Sequence, residues 1–379
     1  MGGYKMIRVG VLTSSRADFG IYLPLLKALQ KEEAFHLELI VFGTHLSKFH
    51  GYTVEQIERE GFKIAKRIES LLLGDTPSAI ASAYGLTALK FAEYWQENEQ
   101  SFDVVFALGD RFEMAAAVTA SIPFGIKIAH LHGGETTLGA IDNIYRHSIS
   151  LASQLHFVAA EPFAKRLKQL LDDEKASIYN VGSLSLENLK NIDFLSVEAF
   201  KNKRQIDLNI KTILVTVHPE TVAYQKNLAY CEETIKALEQ LANEFQIVIT
   251  MPNADTAGMV FREAFETLAK KQQSIKIIEN FGTQSYFTCM KYAKLMVGNT
   301  SSGIVEAASF QKYVLNLGDR QKDRLCGENV IHVPFNHDLI VKNTLEYATK
   351  EYNGENIYFK SNPSEIIIQI LKKEYASIS

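Results

Sequence analysis

The chain has 379 residues, long enough for two domains with full-sized cores, and its apolar, aromatic and charged fractions are those of a globular protein. A formal net charge of −4 without a basic run excludes the electrostatic footprint of a nucleic-acid binder or a membrane-surface protein. The opening MGGYKMIRVGVLTSSRADFG lacks a leader pattern and no later apolar run approaches bilayer-spanning length, so a cytoplasmic location is expected.

In chain order, short β-rich runs alternate with longer amphipathic segments. Strands are predicted over 7–12, 37–42, 104–108, 126–131, 155–158 and 177–181, with helical periodicity over 21–31 and 86–96. Most of the strands are continuous apolar runs, as expected of parallel strands buried on both faces. The polar, poorly periodic stretch from Gly182 to about Leu208 reads as an inter-domain connection. A second series follows at 212–217, 247–251, 275–278, 295–297 and 313–317, and a final helix is expected over about 363–379. The expected division is a first domain over 1–182 and a second over 205–360, with the final helix packing back on the first. Cys231, Cys289 and Cys326 form no CxxC and no ligand spacing with histidine, so neither a disulfide framework nor a metal site is expected.

The polar motifs fall where strands end, and in open parallel sheets ligands sit outside the carboxyl ends of strands. TSSRADFG (13–20) follows the first strand; Arg16 can reach a phosphate there, or the segment is a turn with Asp18 capping a helix. LGDR (108–111) ends a strand with Asp110 and Arg111, which read equally as a surface ion pair. The densest cluster is HLHGGETTLGAIDNIYRH (130–147), with three imidazoles, two carboxylates and an arginine around a glycine pair. Asp142 at a helix start can be an N-cap with Arg146 one turn on as its partner. Alternatively, Asp110, Glu135 and Asp142 converge as acid/base groups oriented by Arg146 and His147, since carboxylates brought together shift one another's pKa.

In the second series VHPE (217–220) places His218 at a strand end, and MPNAD (251–255) offers Asn253 and Asp255. GNTSSGIVEAASF (298–310) is the strongest phosphate signal: Ser301, Ser302 and Gly303 should open a helix whose free N–H groups bind an anion. Glu306, about one turn into that helix, is placed to accept from a ribose diol. LGDRQKDR (317–324) adds Arg320, Lys322 and Arg324 at the same edge.

Taken together, TSSRAD, GDRFE, HGGE with IDNIYRH, HPET, PNAD, GNTSSG and NLGDRQ resemble the hydrolysing UDP-N-acetylglucosamine 2-epimerases of sialic acid biosynthesis, over about residues 7–335 in the same order. The resemblance implies a GT-B-type fold: two Rossmann-like parallel α/β domains with an active-site cleft between them and the nucleotide mainly on the second. It implies catalytic or substrate-contacting roles for Asp110, Asp142 and His218, with His132 and Glu135 in the same acid/base set. It implies diphosphate and ribose contacts for Ser301, Ser302, Gly303, Glu306 and Arg320, with Arg16, Arg111, Arg146, His147, Asn253 and Phe281 completing the substrate-binding set. Many relatives carry a glutamate where this chain has His132, which leaves open which sugar is bound.

The implied reaction loses UDP to a glycal-like intermediate, then adds water with inversion at C2, giving N-acetylmannosamine and UDP without metal or cofactor. A related branch acts on UDP-2,4-diacetamido-2,4,6-trideoxyhexose toward legionaminic acid. Other readings are a non-hydrolysing epimerase, a glycosyltransferase of the same fold, and a catalytically silent UDP-sugar-binding protein. A homodimer or homotetramer is expected from the resemblance.

Overall fold

The computed structural model describes residues 6–74, 76–136, 142–220, 224–252, 256–279 and 281–375. It divides into two compact α/β units. One comprises Met1–Glu135, Asp142–Asn188 and Tyr358–Ser379, and the other is built on Leu189–Ile357.

In the first unit the strands β1 (Ile7–Thr13), β2 (Phe35–Phe42), β3 (Ile64–Ile68), β4 (Val104–Leu108), β5 (Ile128–Leu131), β6 (Leu155–Val158) and β7 (Ser177–Asn180) form a parallel sheet in the order β3-β2-β1-β4-β5-β6-β7. Its centre is apolar on both faces. Val9, Val11 and Phe106 pack toward the helices Arg16–Lys31 and Pro363–Tyr375, while Leu12, Val105 and Ala107 pack toward Phe91 and Trp95. Each such fully buried side chain contributes about 1.5–3 kcal/mol. The last helix lies against Arg16–Lys31, with Lys372 paired to Glu32.

The second unit repeats the plan with β8 (Thr212–Thr216), β9 (Gln246–Thr250), β10 (Ile275–Ile278), β11 (Leu295–Gly298), β12 (Val314–Leu317) and β13 (Val330–Val333). Their order is β10-β9-β8-β11-β12-β13, again parallel. Each sheet reverses its strand order beside its first strand (β1/β4 and β8/β11), the switch-point arrangement of doubly wound folds.

Three features differ from the sequence expectation. The stretch 182–208 contains two helices, Leu184–Lys190 and Val197–Arg204, whose Leu184 and Phe200 are fully buried. Polar outer faces hid their short apolar stripes. The first helix begins at Arg16, inside the TSSRADFG motif, because Ser15 and Asp18 close a reciprocal capping box. The helix at GNTSSG is short, Ser301–Val305, and gives way to a 3-10 turn at Ala307–Phe310. Among the described residues, no helix is long and apolar enough to cross a membrane.

Candidate functional site

Register builds the first-unit cluster. Leu108 of β4 is paired with Leu131 of β5, and the Gly109 N–H extends that ladder to the Leu131 carbonyl at 3.1 Å. Asp110 and His132, each just past its strand, therefore emerge at the same sheet edge. The buried His130 secures this edge: its Nε2 lies 2.9 Å from the Gly109 carbonyl and its Nδ1 lies 3.0 Å from Ser150 Oγ. Burial pushes its pKa down to about 3, so it is a neutral strut rather than an acid/base group.

The chain then turns sharply. His132 has φ +63°, a left-handed backbone that a side-chain-bearing residue adopts at some cost in strain. Gly134 has φ +76°, and a Cβ there would run into the Phe163 carbonyl. The turn brings Glu135 back beneath His132, with 2.8 Å between Glu135 Oε1 and His132 Nδ1. Glu135 is almost wholly buried and also faces Arg146, whose Nη1 is 3.7 Å from its Oε2. Glu135 thus orients the imidazole, and His132 Nε2 makes no hydrogen bond among the described residues.

Arg146, buried in the helix Asp142–Leu151, donates from Nη1 to the His132 carbonyl at 2.7 Å and from Nη2 to Asp110. Asp142 heads this helix. Its carboxyl pKa is raised, first by burial and then by the neighbouring Asp110 charge, against the opposing pull of Arg111 and Arg146. A carboxyl held up in this way is suited to proton transfer. Arg111 is 45% exposed and is bound through its Nε to Glu113 at 2.6 Å. Burial, and then the charges of Arg166 and Arg146, lower the pKa of the partly buried His147, whose Nδ1 is buried without a hydrogen-bond partner among the described residues. Arg16 is exposed at the start of its helix.

Asp18, given above as a helix cap or as part of a ligand loop, folds the loop. It accepts from Ser14 N at 2.9 Å, Ser14 Oγ at 2.8 Å and Ser15 N at 3.0 Å, and also from Thr13 Oγ1. His45, from the GTHL segment after β2, completes this buried network through Thr13 Oγ1 at 3.0 Å and Thr53 Oγ1 at 2.7 Å.

In the second unit the same device operates. Gly298 of β11 is in register with Thr216 of β8 and Asn316 of β12, so the loops carrying His218, Thr300 and Arg320 start at one level. A Cβ on Gly298 would collide with the Thr216 carbonyl, so only glycine permits this approach. The fully buried Asn299 ties the three loops. It accepts from His218 N at 2.7 Å and donates to the His218 carbonyl at 2.8 Å. Its own carbonyl accepts from Arg320 Nη1 at 3.0 Å and Gln321 Nε2 at 2.9 Å. Burial, reinforced by the Arg320 charge, lowers the His218 pKa to about 4, which keeps the ring neutral at pH 7.

Ser301 is exposed, Ser302 and Gly303 follow it into the short helix, and the Thr300 side chain accepts from Ser302 N. Ser302 Oγ is buried without a hydrogen-bond partner among the described residues. With so short a helix, any anion binding rests on these local amides and hydroxyls rather than on a helix macrodipole. Glu306, expected inside the helix, instead caps its carboxyl end and is nearly buried. The buried Glu220 accepts from Asp319 N at 2.6 Å and so braces the Arg320 loop. Lys322 is exposed, and Arg324 donates to Gln321 at 3.2 Å. The Phe281 ring is buried between Phe200 and Tyr286, and its carbonyl accepts from Arg204. Asn253 and Asp255 lie outside the described residues. No three potential metal ligands gather among the described residues.

Comparison with known proteins places these features in a family. The sequence model described as UDP-N-acetylglucosamine 2-epimerase matches residues 27–372. The chain belongs to this family. It is therefore an enzyme of the UDP-sugar 2-epimerase family. A Campylobacter jejuni relative named GDP/UDP-N,N'-diacetylbacillosamine 2-epimerase (hydrolyzing) is 36% identical over 87% of this chain and 85% of its own. A Legionella pneumophila relative named UDP-N,N'-diacetylbacillosamine 2-epimerase (hydrolyzing) is 34% identical over 95% and 94%. The fold matches the solved Neisseria meningitidis UDP-GlcNAc 2-epimerase bound to UDP-GlcNAc with a TM-score of 0.79, at 19% identity, covering 97% of this chain and all of that one. The expected two parallel α/β domains of the family are thus present.

Two residues outside the expected set organise it. Asn299 and Glu113 lie within GNTSSG and GDRFE, but an asparagine in a loop reads as turn chemistry and a first-turn glutamate as a helix-dipole partner.

Proposed function

We propose that the protein is a hydrolysing 2-epimerase of a UDP-linked 2-acetamido sugar, acting first on UDP-2,4-diacetamido-2,4,6-trideoxyhexose. The observation that carries the reaction class is the first-unit cluster, in which Asp142 with its raised pKa stands beside Asp110, Arg146 and the Glu135-oriented His132. The C1–O bond to UDP breaks, and the positive charge developing at C1 acidifies the C2–H. One of Asp142 and His132 takes that proton, leaving a glycal and UDP. The other returns a proton to C2 on the opposite face and takes up the proton that water gives up as its oxygen bonds to C1, giving the free 2-epimer; the first then releases the C2 proton to solvent. Asp110, held by Arg146, stabilises the cationic transition state.

UDP is assigned to the second unit. The backbone of Ser301, Ser302 and Gly303 and their hydroxyls take the diphosphate, Glu306 the ribose, and Arg320 the charge that develops as UDP departs. His218, neutral at pH 7, donates a hydrogen bond to a phosphate oxygen. Arg16 and Arg111 are assigned to substrate oxygens, Asn253 and Phe281 to the nucleotide, and His147 to the sugar. No metal or cofactor takes part. A homodimer or homotetramer working in the cytoplasm is the assembly we assign.

The sugar is ranked by the names of the relatives. Two hydrolysing relatives at 36% and 34% identity are named for diacetylbacillosamine. The second reading, UDP-N-acetylglucosamine giving N-acetylmannosamine, is favoured by the description of the matching family. Parallel kcat/KM measurements on the two UDP-sugars, with products separated by anion exchange, test the assignment. Preference for the diacetamido sugar with free sugar and UDP as products is expected; a preference for UDP-N-acetylglucosamine reverses the ranking, and a UDP-linked product overturns hydrolysis.

A further inference from the structure

Glu113 stands two residues beyond Arg111, in the first turn of the helix Phe112–Thr119, and its side chain is only 2% exposed. It receives the Arg111 Nε at 2.6 Å, while its second oxygen is buried with no hydrogen-bond partner among the described residues. A half-satisfied carboxylate in such a place costs stability that an apolar side chain of the same size would not. The arrangement is therefore poorly explained as packing.

Its effect on Arg111 is specific. The guanidinium is gripped at one nitrogen, the one nearest its own chain, and its two terminal nitrogens make no hydrogen bond among the described residues. Arg111 also feels the charges of Asp18 and Asp142. A guanidinium free to swing would close on one of those carboxylates, neutralising a proton-transfer group or blocking the loop after β1. Held by its Nε, it keeps a two-donor fork for an oxygen acceptor.

We propose that Glu113 is a positioning residue that fixes Arg111 for a substrate oxygen, phosphate or acetamido carbonyl, and keeps it from pairing with Asp142. This rests on the reaction assigned above. Glu113 touches no substrate itself and acts entirely through Arg111.

A double-mutant cycle tests it, with kcat/KM on both UDP-sugars and the thermal midpoint measured for wild type, Glu113→Gln, Arg111→Ala and the double variant. Glu113→Gln should lower kcat/KM by about tenfold or more in the wild-type background and by less than about twofold where Arg111 is already alanine, with no fall in the thermal midpoint. Equal losses in both backgrounds, or a Glu113→Gln enzyme with wild-type kcat/KM, would overturn the proposal. Should Glu113→Gln not fold, Glu113→Met fills the same space without charge and carries the same comparison. Wild-type turnover with additive losses sinks this assignment alone, whereas a wild type inactive on both sugars sinks the reaction and this role with it.

Discussion

Arg146 is ion-paired with Asp110, on the neighbouring strand's loop, and not hydrogen-bonded to Asp142, the carboxylate one turn before it on its own helix. With Arg146 directed to Asp110, burial and then the Asp110 charge raise the Asp142 pKa, outweighing the pull of Arg111 and Arg146. One arginine thereby holds Asp110 and leaves Asp142 as the carboxyl with the raised pKa, the one the proposed mechanism uses for proton transfer.

Replacing Arg146 by Met should remove this separation. Asp110 loses its partner and the His132 carbonyl loses a donor, for a destabilisation of about 2–3 kcal/mol; this is below the cost for a fully buried pair because the Asp110 side chain is 28% exposed. Arg146→Lys should recover little, since one ammonium cannot serve both acceptors in the same plane. Denaturant unfolding of the two variants measures the effect, and a stability equal to wild type would contradict the pairing.

Asp142→Asn should fold normally and lose about 10²–10⁴-fold in kcat, with KM changed only a few-fold. Asparagine is isosteric with aspartate and removes only the charge and the titrating proton, so the loss is expected to be chemical rather than structural. Turnover followed by UDP release reads this directly; near wild-type kcat would remove Asp142 from the mechanism.

His132 and Glu135 should fail as a unit. Glu135→Gln removes the carboxylate that fixes the His132 ring at 2.8 Å, so the imidazole loses its preferred tautomer and orientation. We expect kcat to fall about 10²-fold or more, with His132→Asn/Glu135→Gln no worse than His132→Asn alone. Multiplicative losses would show that Glu135 acts independently.

Stability should decline in mild acid. His130, His156 and His218 have folded-state pKa values lowered to about 3, 4 and 4, chiefly by burial, whereas the unfolded chain protonates near the ordinary value of 6.5. Their neutral forms thus give stability that is fully present above about pH 6.5 and is lost as pH falls toward the folded values. Once the unfolded state is protonated, each contributes up to about 1.4 kcal/mol per pH unit. Denaturant midpoints between about pH 7 and pH 5 should fall steadily; a flat profile would mean that these rings are not held neutral.

Much of this molecule is legible in its sequence because parallel strands buried on both faces must be continuously apolar. β1, β4 and β8 announce themselves in that way. β3, reading IAKRI, and β13, reading VIHV, lie at sheet edges and carry solvent-facing residues, so the same criterion passes over them. The positions of the candidate residues are legible, since Asp110, His132 and His218 each follow a strand end. Their partnerships are not. Helical spacing pairs Arg146 with Asp142, but the alignment of Leu108 with Leu131 brings Asp110 closer. Nor does an asparagine in GNTSSG declare that its amide will close on both backbone groups of His218, 81 residues earlier.

The most direct test of the account is turnover in D₂O followed by NMR, using UDP-2,4-diacetamido-2,4,6-trideoxyhexose and UDP-N-acetylglucosamine in parallel. Proton removal and return at C2 by Asp142 and His132 predict a free 2-epimer bearing deuterium at C2, together with UDP. A free sugar that keeps its original C2 hydrogen and configuration, or a product still carrying UDP, would contradict it.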